Sequence, residues 1–188
     1  MKLPLLKDLS LVYAFLATSL ILQSCGPDEP KMKAYEGEIA SEIYLSENIT
    51  EKDYIIIYGW TIWCGPCRNT IKEKLPILQS YLDSTGVSVG LMAICADDRT
   101  SKSFFELNDF MKESNIKSYF LETGTFSLHD RWALNSYFGN VLNSYEDNEG
   151  VPIVLVVDKK GDVIMQDRWV VASPERWREV VTILSKKA

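Results

Sequence analysis

The apolar positions of this chain change period along its length, and the changes mark its elements. Residues 53–60, "DYIIIYGW", and 87–96, "VSVGLMAICA", are short apolar runs rich in β-formers and bounded by turn residues. That is the pattern of strands buried on both faces. Between them Ile71, Leu75, Leu78 and Leu82 recur at helical spacing, and Gly86 closes the stretch. A strand, a helix and a strand make a βαβ unit, whose crossover is almost always right-handed. Pro76 should kink this helix, because it has no amide hydrogen and crowds the preceding turn.

Further along, Phe104, Leu107, Phe110 and Met111 line one face of a second helix. Residues 117–121 read as an added strand, and 127–139 as a helix ended by Gly139. Residues 151–170 are two β-rich runs around Asp158-Lys-Lys-Gly161, a hairpin with glycine where a positive φ is needed. Ser173 can cap a last helix with Pro174 at its first position and Glu175 in its first turn. Trp177, Val180, Val181 and Leu184 form its buried stripe. The order predicts an α/β sandwich: a central mixed β-sheet flanked by helices, with an extra segment between a βαβ half and a C-terminal ββα half.

The N-terminus follows a different pattern. Lys2 and Lys7 precede an apolar run from Leu9 to Leu22, and small or polar residues then lead to Cys25. This is the layout of a secretory signal, and the run is shorter than the ~20 residues of a membrane span. Leu22-Gln23-Ser24-Cys25 resembles a bacterial lipobox, with Gln23 departing from the usual small residue. The resemblance implies cleavage before Cys25 and its lipidation, and several acyl chains give stable anchoring where one would be marginal. Secretion with cleavage nearby, or an uncleaved anchor, is the alternative. The expected division is a signal at 1–24, a Gly-, Pro- and charge-rich tether at 25–40, and a folded domain at 41–188. Gly26 in place of an inner-membrane retention aspartate weakly favours onward export, and Asp28 and Glu29 would suit a surface-export signal.

Composition narrows the function classes. Hydrophobic residues make up 46% and charged ones 24%, as in ordinary globular domains, and no period repeats along the chain. The formal charge is −6, and removing residues 1–24 takes away Lys2, Lys7 and Asp8 to leave −7. Nucleic-acid binding rests on lysine and arginine neutralising phosphates, so this balance excludes it.

The chemistry lies in Trp60-Thr-Ile-Trp-Cys-Gly-Pro-Cys67. Two cysteines at this spacing can hold a metal, form a structural bridge or exchange electrons. A four-ligand zinc site needs more than Cys25, Cys64, Cys67, Cys95 and the single His129 supply. A structural bridge would close a very short loop and restrict the unfolded chain little. A redox pair fits better, because a helix N-terminus stabilises the thiolate, the reactive form. Cys64 is then the exposed nucleophile, and Cys67, one turn inside, the resolving thiol. Cys95, in a central strand, reads as a small buried hydrophobe. His129 reads as a surface or satisfied side chain, Trp169 and Trp177 as core, and Trp60 as either core or site.

With these residues in view, the sequence resembles the thioredoxin superfamily. "WCGPC" is that family's active-site motif, and Gly150-Val151-Pro152 before a strand matches its cis-proline loop. The resemblance covers about residues 40–187 and implies a thioredoxin-like fold. It also implies that Trp63, Gly65, Pro66, Val151 and Pro152 meet an extended substrate strand, and that the proline keeps metals from the thiols. The family usually places a buried aspartate six residues before the first cysteine to accept the resolving thiol's proton; here Tyr58 stands there. The stretch from Asp97 to Pro152 is longer than the minimal fold needs, and 117–149 is expected to shape a partner surface.

Signal and anchor point to the TlpA/ResA-like branch, associated with cytochrome c maturation and envelope thiol reduction. The implied protein is a thiol-disulfide oxidoreductase with no cofactor, facing the periplasm from a lipid anchor. It would reduce protein disulfides and be recharged by a membrane thiol-electron donor. Gly65-Pro66 resembles reducing thioredoxins more than strong oxidants. The alternatives are an oxidase or isomerase on the same fold, or a lipoprotein that uses it as a binding scaffold. Thr61, three residues before Cys64, suits peroxiredoxin-like chemistry less well, because Gly-Pro-Cys follows.

Overall fold

The computed structural model describes residues 32–34, 42–43, 45, 49–97, 116, 118–122, 130–171 and 173–186. The expected signal, Cys25, most of the tether, the helix through Phe104 and Met111, and His129 lie outside these residues.

Seven strands form one mixed sheet: β1 (Met32–Ala34), β2 (Glu42–Ile43), β3 (Tyr54–Trp60), β4 (Val89–Asp97), β5 (Ser118–Glu122), β6 (Ile153–Asp158) and β7 (Val163–Gln166). Their spatial order is β2-β1-β5-β4-β3-β6-β7. β3 runs parallel to β4 and antiparallel to β6, and β4 runs parallel to β5. The parallel pairs need crossovers, and the β3–β4 crossover is the expected amphipathic helix. Within the segment expected as a tether, Met32–Ala34 instead pairs with β5 and extends the sheet.

Side chains alternate across the sheet, so β3 feeds two apolar layers. Tyr54, Ile56, Tyr58 and Trp60 join Ala93, Cys95, Val154 and Val156 on one face, covered by helical residues Leu75, Leu78, Trp177 and Val180. Ile55 and Ile57 join Met92, Ile94, Leu155 and Val157 on the other, covered by Leu134, Tyr137, Phe138 and Leu142.

The first helix is irregular for a local reason. It runs as α1 (Gly65–Asn69), a π turn (Thr70–Lys74) and α2 (Leu75–Thr85), which Gly86 closes at φ 65°. The Leu75 amide reaches back to the Thr70 carbonyl, five residues away. Pro76 cannot donate to the turn before it and its ring crowds that turn, so the helix widens there. Ile71 and Leu75 are thereby kept buried together.

The described parts of 117–149, residues 118–122 and 130–149, are built around the core. β5 lies inside the sheet between β1 and β4, and α3 (Asp130–Val141) covers the second face. Contrary to expectation, Gly139 does not end α3. Burying Leu142 needs the extra half-turn, and the left-handed residue beyond it is Ser144, at φ 58°. The hairpin turns at Gly161, φ 84°, as expected. β7 stops at Gln166 rather than near 170, because a 3-10 turn (Arg168–Val171) carries Val171 into the core. The side chain of Trp169, expected in the core, lies outside the described ones. α4 (Pro174–Ser185) is capped as predicted, the Ser173 hydroxyl accepting from the Arg176 amide at 3.4 Å, and its stripe of Trp177, Val180, Val181 and Leu184 is buried.

α3 lies so close to β3 that a Cβ on Gly59 would sit 3.1 Å from the Phe138 ring and 3.4 Å from Ile153. Gly59→Ala should therefore destabilise the protein by about 1–3 kcal/mol. Gly65→Ala, with nothing within 4 Å of the new methyl, should stay within about 0.5 kcal/mol. Urea unfolding of the two variants measures the contrast.

Candidate active site

The site is assembled at the C-terminal end of β3. Beyond Trp60 the chain makes a turn in which the Cys64 amide donates to the Thr61 carbonyl at 3.2 Å. Cys64 is the N-cap of α1, in an extended conformation, and its carbonyl accepts the first helical bond from Arg68 at 3.1 Å. Pro66 fits there because amides of the first turn have no intrahelical acceptor to lose. Cys64 and Cys67 form a disulfide across this turn, with their Cα atoms 5.2 Å apart.

Cys64 is less exposed than expected, at 8%, because Ile62 and the sheet end pack against it. Cys67 is at 0%, so Cys64 is the less shielded residue of the pair. Trp63 is 64% exposed and stands beside Cys64 with exposed Gly65 and Pro66, an apolar rim on the surface. Trp60 is wholly buried, which makes it core.

The opposite wall is the Val151–Pro152 segment, whose peptide bond is cis. The Gly59–Ile153 pairing carries Pro152 to the level of Trp60, and Val151 packs against the cluster that holds both cysteines. The motifs at 63–67 and 150–152 therefore meet, although more than 80 residues separate them in the chain.

Three residues the sequence did not single out hold that wall. Asn135 of α3 donates to the Asn148 carbonyl at 2.9 Å and accepts from the Asn148 amide at 3.2 Å. The Tyr145 hydroxyl donates to the same Asn135 oxygen at 2.5 Å. The Asn148 side chain in turn accepts from the Gly150 amide at 3.3 Å. The only signal in the sequence is a cluster of asparagines before "GVP", which also describes any polar loop. An open cavity of about 380 Å³ lies here, lined by Trp132, Asn135, Ser136, Asp147, Asn148 and Glu149.

The surroundings of the disulfide are apolar. Among the described residues no carboxylate, lysine, arginine or histidine is buried. Cys95 is buried in the same layer, opposite Trp60 in register, and stays outside the disulfide. Tyr58 occupies the position where a buried acid was sought. It is wholly buried, and its hydroxyl donates to the Cys67 carbonyl at 3.5 Å. Burial pushes its pKa from 10.0 up to about 12, against a smaller opposing effect of the Thr70 hydroxyl. The indole nitrogens of Trp60 and Trp177 and the Thr61 hydroxyl are buried and have no hydrogen-bond partner among the described residues.

The fold so described is thioredoxin-like. Solved structures with similar folds include a putative thiol-disulfide oxidoreductase from Bacteroides vulgatus, with TM-score 0.52 and 20% identity over 87% of this chain and 93% of that one. A thioredoxin-related protein from Neisseria meningitidis serogroup B has TM-score 0.53 and 18% identity, covering 83% and 99%. Yeast Sco1 with copper bound has TM-score 0.54 and 17% identity, covering 83% and 87%. At these identities the likeness establishes the fold. No family model matches the sequence, and no curated protein matches it. The chemistry comes from the site itself: two electrons enter or leave as the Cys64–Cys67 bond opens or closes, which is disulfide exchange.

The Tyr58 shift has a consequence at alkaline pH. The folded phenol titrates above its unfolded value, so its contribution to stability is full below pH 10 and is lost as pH rises through about 12. Alkaline unfolding followed by circular dichroism should thus lie above pH 10, and tyrosinate absorbance at pH 11 should fall short of all nine tyrosines until the fold is lost.

Proposed function

We propose that this protein is an extracytoplasmic thiol-disulfide oxidoreductase that reduces disulfides of cell-envelope proteins. The observation that carries the reading is the Cys64–Cys67 disulfide at a strand-to-helix junction, walled by the cis Val151–Pro152 bond. In the reduced protein the Cys64 thiolate attacks a substrate disulfide, forming a mixed disulfide and releasing the first substrate thiolate. Cys67 then ionises and attacks the Cys64 sulfur. The second substrate thiolate leaves, the Cys64–Cys67 bond forms, and two electrons have passed to the substrate. A membrane thiol-electron donor would restore the dithiol. Trp63, Gly65, Pro66, Val151 and Pro152 form the surface against which the substrate chain lies.

The signal-like N-terminus and the Leu22-Gln23-Ser24-Cys25 sequence support lipid anchoring at Cys25, in a bacterial envelope and facing the periplasm. They also support the TlpA/ResA-like reading, with apocytochromes c among the clients. Gly65-Pro66 supports the reducing direction.

In an insulin-reduction assay the wild-type protein should be active and Cys64→Ser inactive, while Cys67→Ser should accumulate mixed disulfides whose partners mass spectrometry identifies. Activity retained by Cys64→Ser would falsify the mechanism. A potential far above that of thioredoxin, about −270 mV, would favour the oxidase instead. Anchoring is tested separately. The full chain expressed in a bacterium should fractionate with membranes and incorporate labelled fatty acid, and Cys25→Ser should lose both.

A further inference from the structure

We propose that Tyr58 is a positioning residue for the second half of the exchange: its hydroxyl holds Cys67 in place by the main chain and donates a hydrogen bond to the Cys67 sulfur once the disulfide opens. This rests on the redox reading above and goes beyond it, since that reading leaves the shielded sulfur without a polar partner.

The argument is geometric. Cys67 is wholly buried, so water cannot solvate the thiolate it must form to attack Cys64. A buried anion needs hydrogen bonds or an opposite charge, and among the described residues no charged side chain is buried near it. The Tyr58 hydroxyl is beside it, 3.5 Å from the Cys67 carbonyl. That carbonyl already accepts from the Thr70 amide, so the phenol bond to it is long and secondary in the oxidised state. Thr70 also hydrogen-bonds the phenol oxygen through its side chain. The phenol proton can turn about its C–O bond, and opening the disulfide leaves the sulfur of the same cysteine as a second acceptor. Hydrogen bonds to an ionised acceptor are about twice as strong as neutral ones, so a sulfur anion draws the proton away from the carbonyl.

Tyr58 does not act as a base, since its phenol stays protonated until about pH 12. The proton lost by Cys67 is balanced by the one the departing substrate thiolate takes up. The phenol transfers no proton; it stabilises the anion. The expected buried acid is thus replaced by a neutral donor, which assists the same step without a second titrating group in the apolar layer.

The test separates the two halves of the reaction. The first attack by Cys64 and the resolution by Cys67 are timed by acid quench, with glutathione disulfide as substrate. Tyr58→Phe should slow resolution about tenfold and change the first attack less than about twofold. It should also cut the thiolate fraction of Cys67 in the reduced protein about tenfold at a given pH, an ionisation equilibrium read by thiolate ultraviolet absorbance against pH. Because this equilibrium needs no protein client, it reads Tyr58 even if the wild type fails to reduce insulin, a result that would overturn only the proposed envelope role. Unchanged resolution, or equal slowing of both halves, overturns the inference. Should Tyr58→Phe not fold, Thr70→Val should show part of the same loss and Thr70→Ser none; identical values for the two overturn it as well.

Discussion

Strand β3 is buried on both faces over all seven residues, and the site hangs from its end. Its even-numbered side chains face the helix that carries the cysteines, its odd-numbered ones face α3, and both neighbouring strands pair along it. A strand held on four sides cannot slip, because a one-residue shift would exchange its two apolar sets. Gly59 adds a steric condition, since the ring of Phe138 occupies the space a side chain would take. Cys64 and Pro152 are therefore held at fixed places relative to each other, although neither lies in β3 itself.

This rigidity has an electrostatic counterpart. The layer that holds the disulfide contains aromatic and aliphatic side chains, a third cysteine and the Tyr58 hydroxyl. In so apolar a setting the states of the two sulfurs depend on the few hydrogen-bond donors within reach and on the start of the helix. The indole nitrogens of Trp60 and Trp177, which can only donate, belong to the same layer. Such a layer suits a sulfur that gains negative charge better than it suits a proton-accepting base.

Two irregular features serve the same end. The π turn before Pro76 keeps Ile71 and Leu75 against the sheet while the helix still begins at Cys64. On the other wall, Asn135 ties the segment before the cis-proline to α3. The extra segment thus has a structural task, because it supplies the helix that both packs on Gly59 and holds the loop of Pro152.

Much of this was legible in the order of residues. Continuous apolar runs marked β3, β4 and β6, helical spacing marked the crossover and α4, and the Ser173 cap and Gly161 turn were placed by their local chemistry. These are short-range effects, in which a residue's preference and its neighbours decide the outcome. The Cys-Gly-Pro-Cys pair and the Val151-Pro152 segment were legible for the same reason. Only the tertiary structure brought those two motifs to one site, because that depends on the register of β3 with β6. It also decided that Gly139 stays helical, since the burial of Leu142 outweighs a local preference, and that Met32–Ala34 enters the sheet beside β5. Tyr58 shows the division most clearly. The sequence showed that an acid was missing at position 58, but the contact of the phenol with Cys67 and Thr70 exists only once strand and helix are packed.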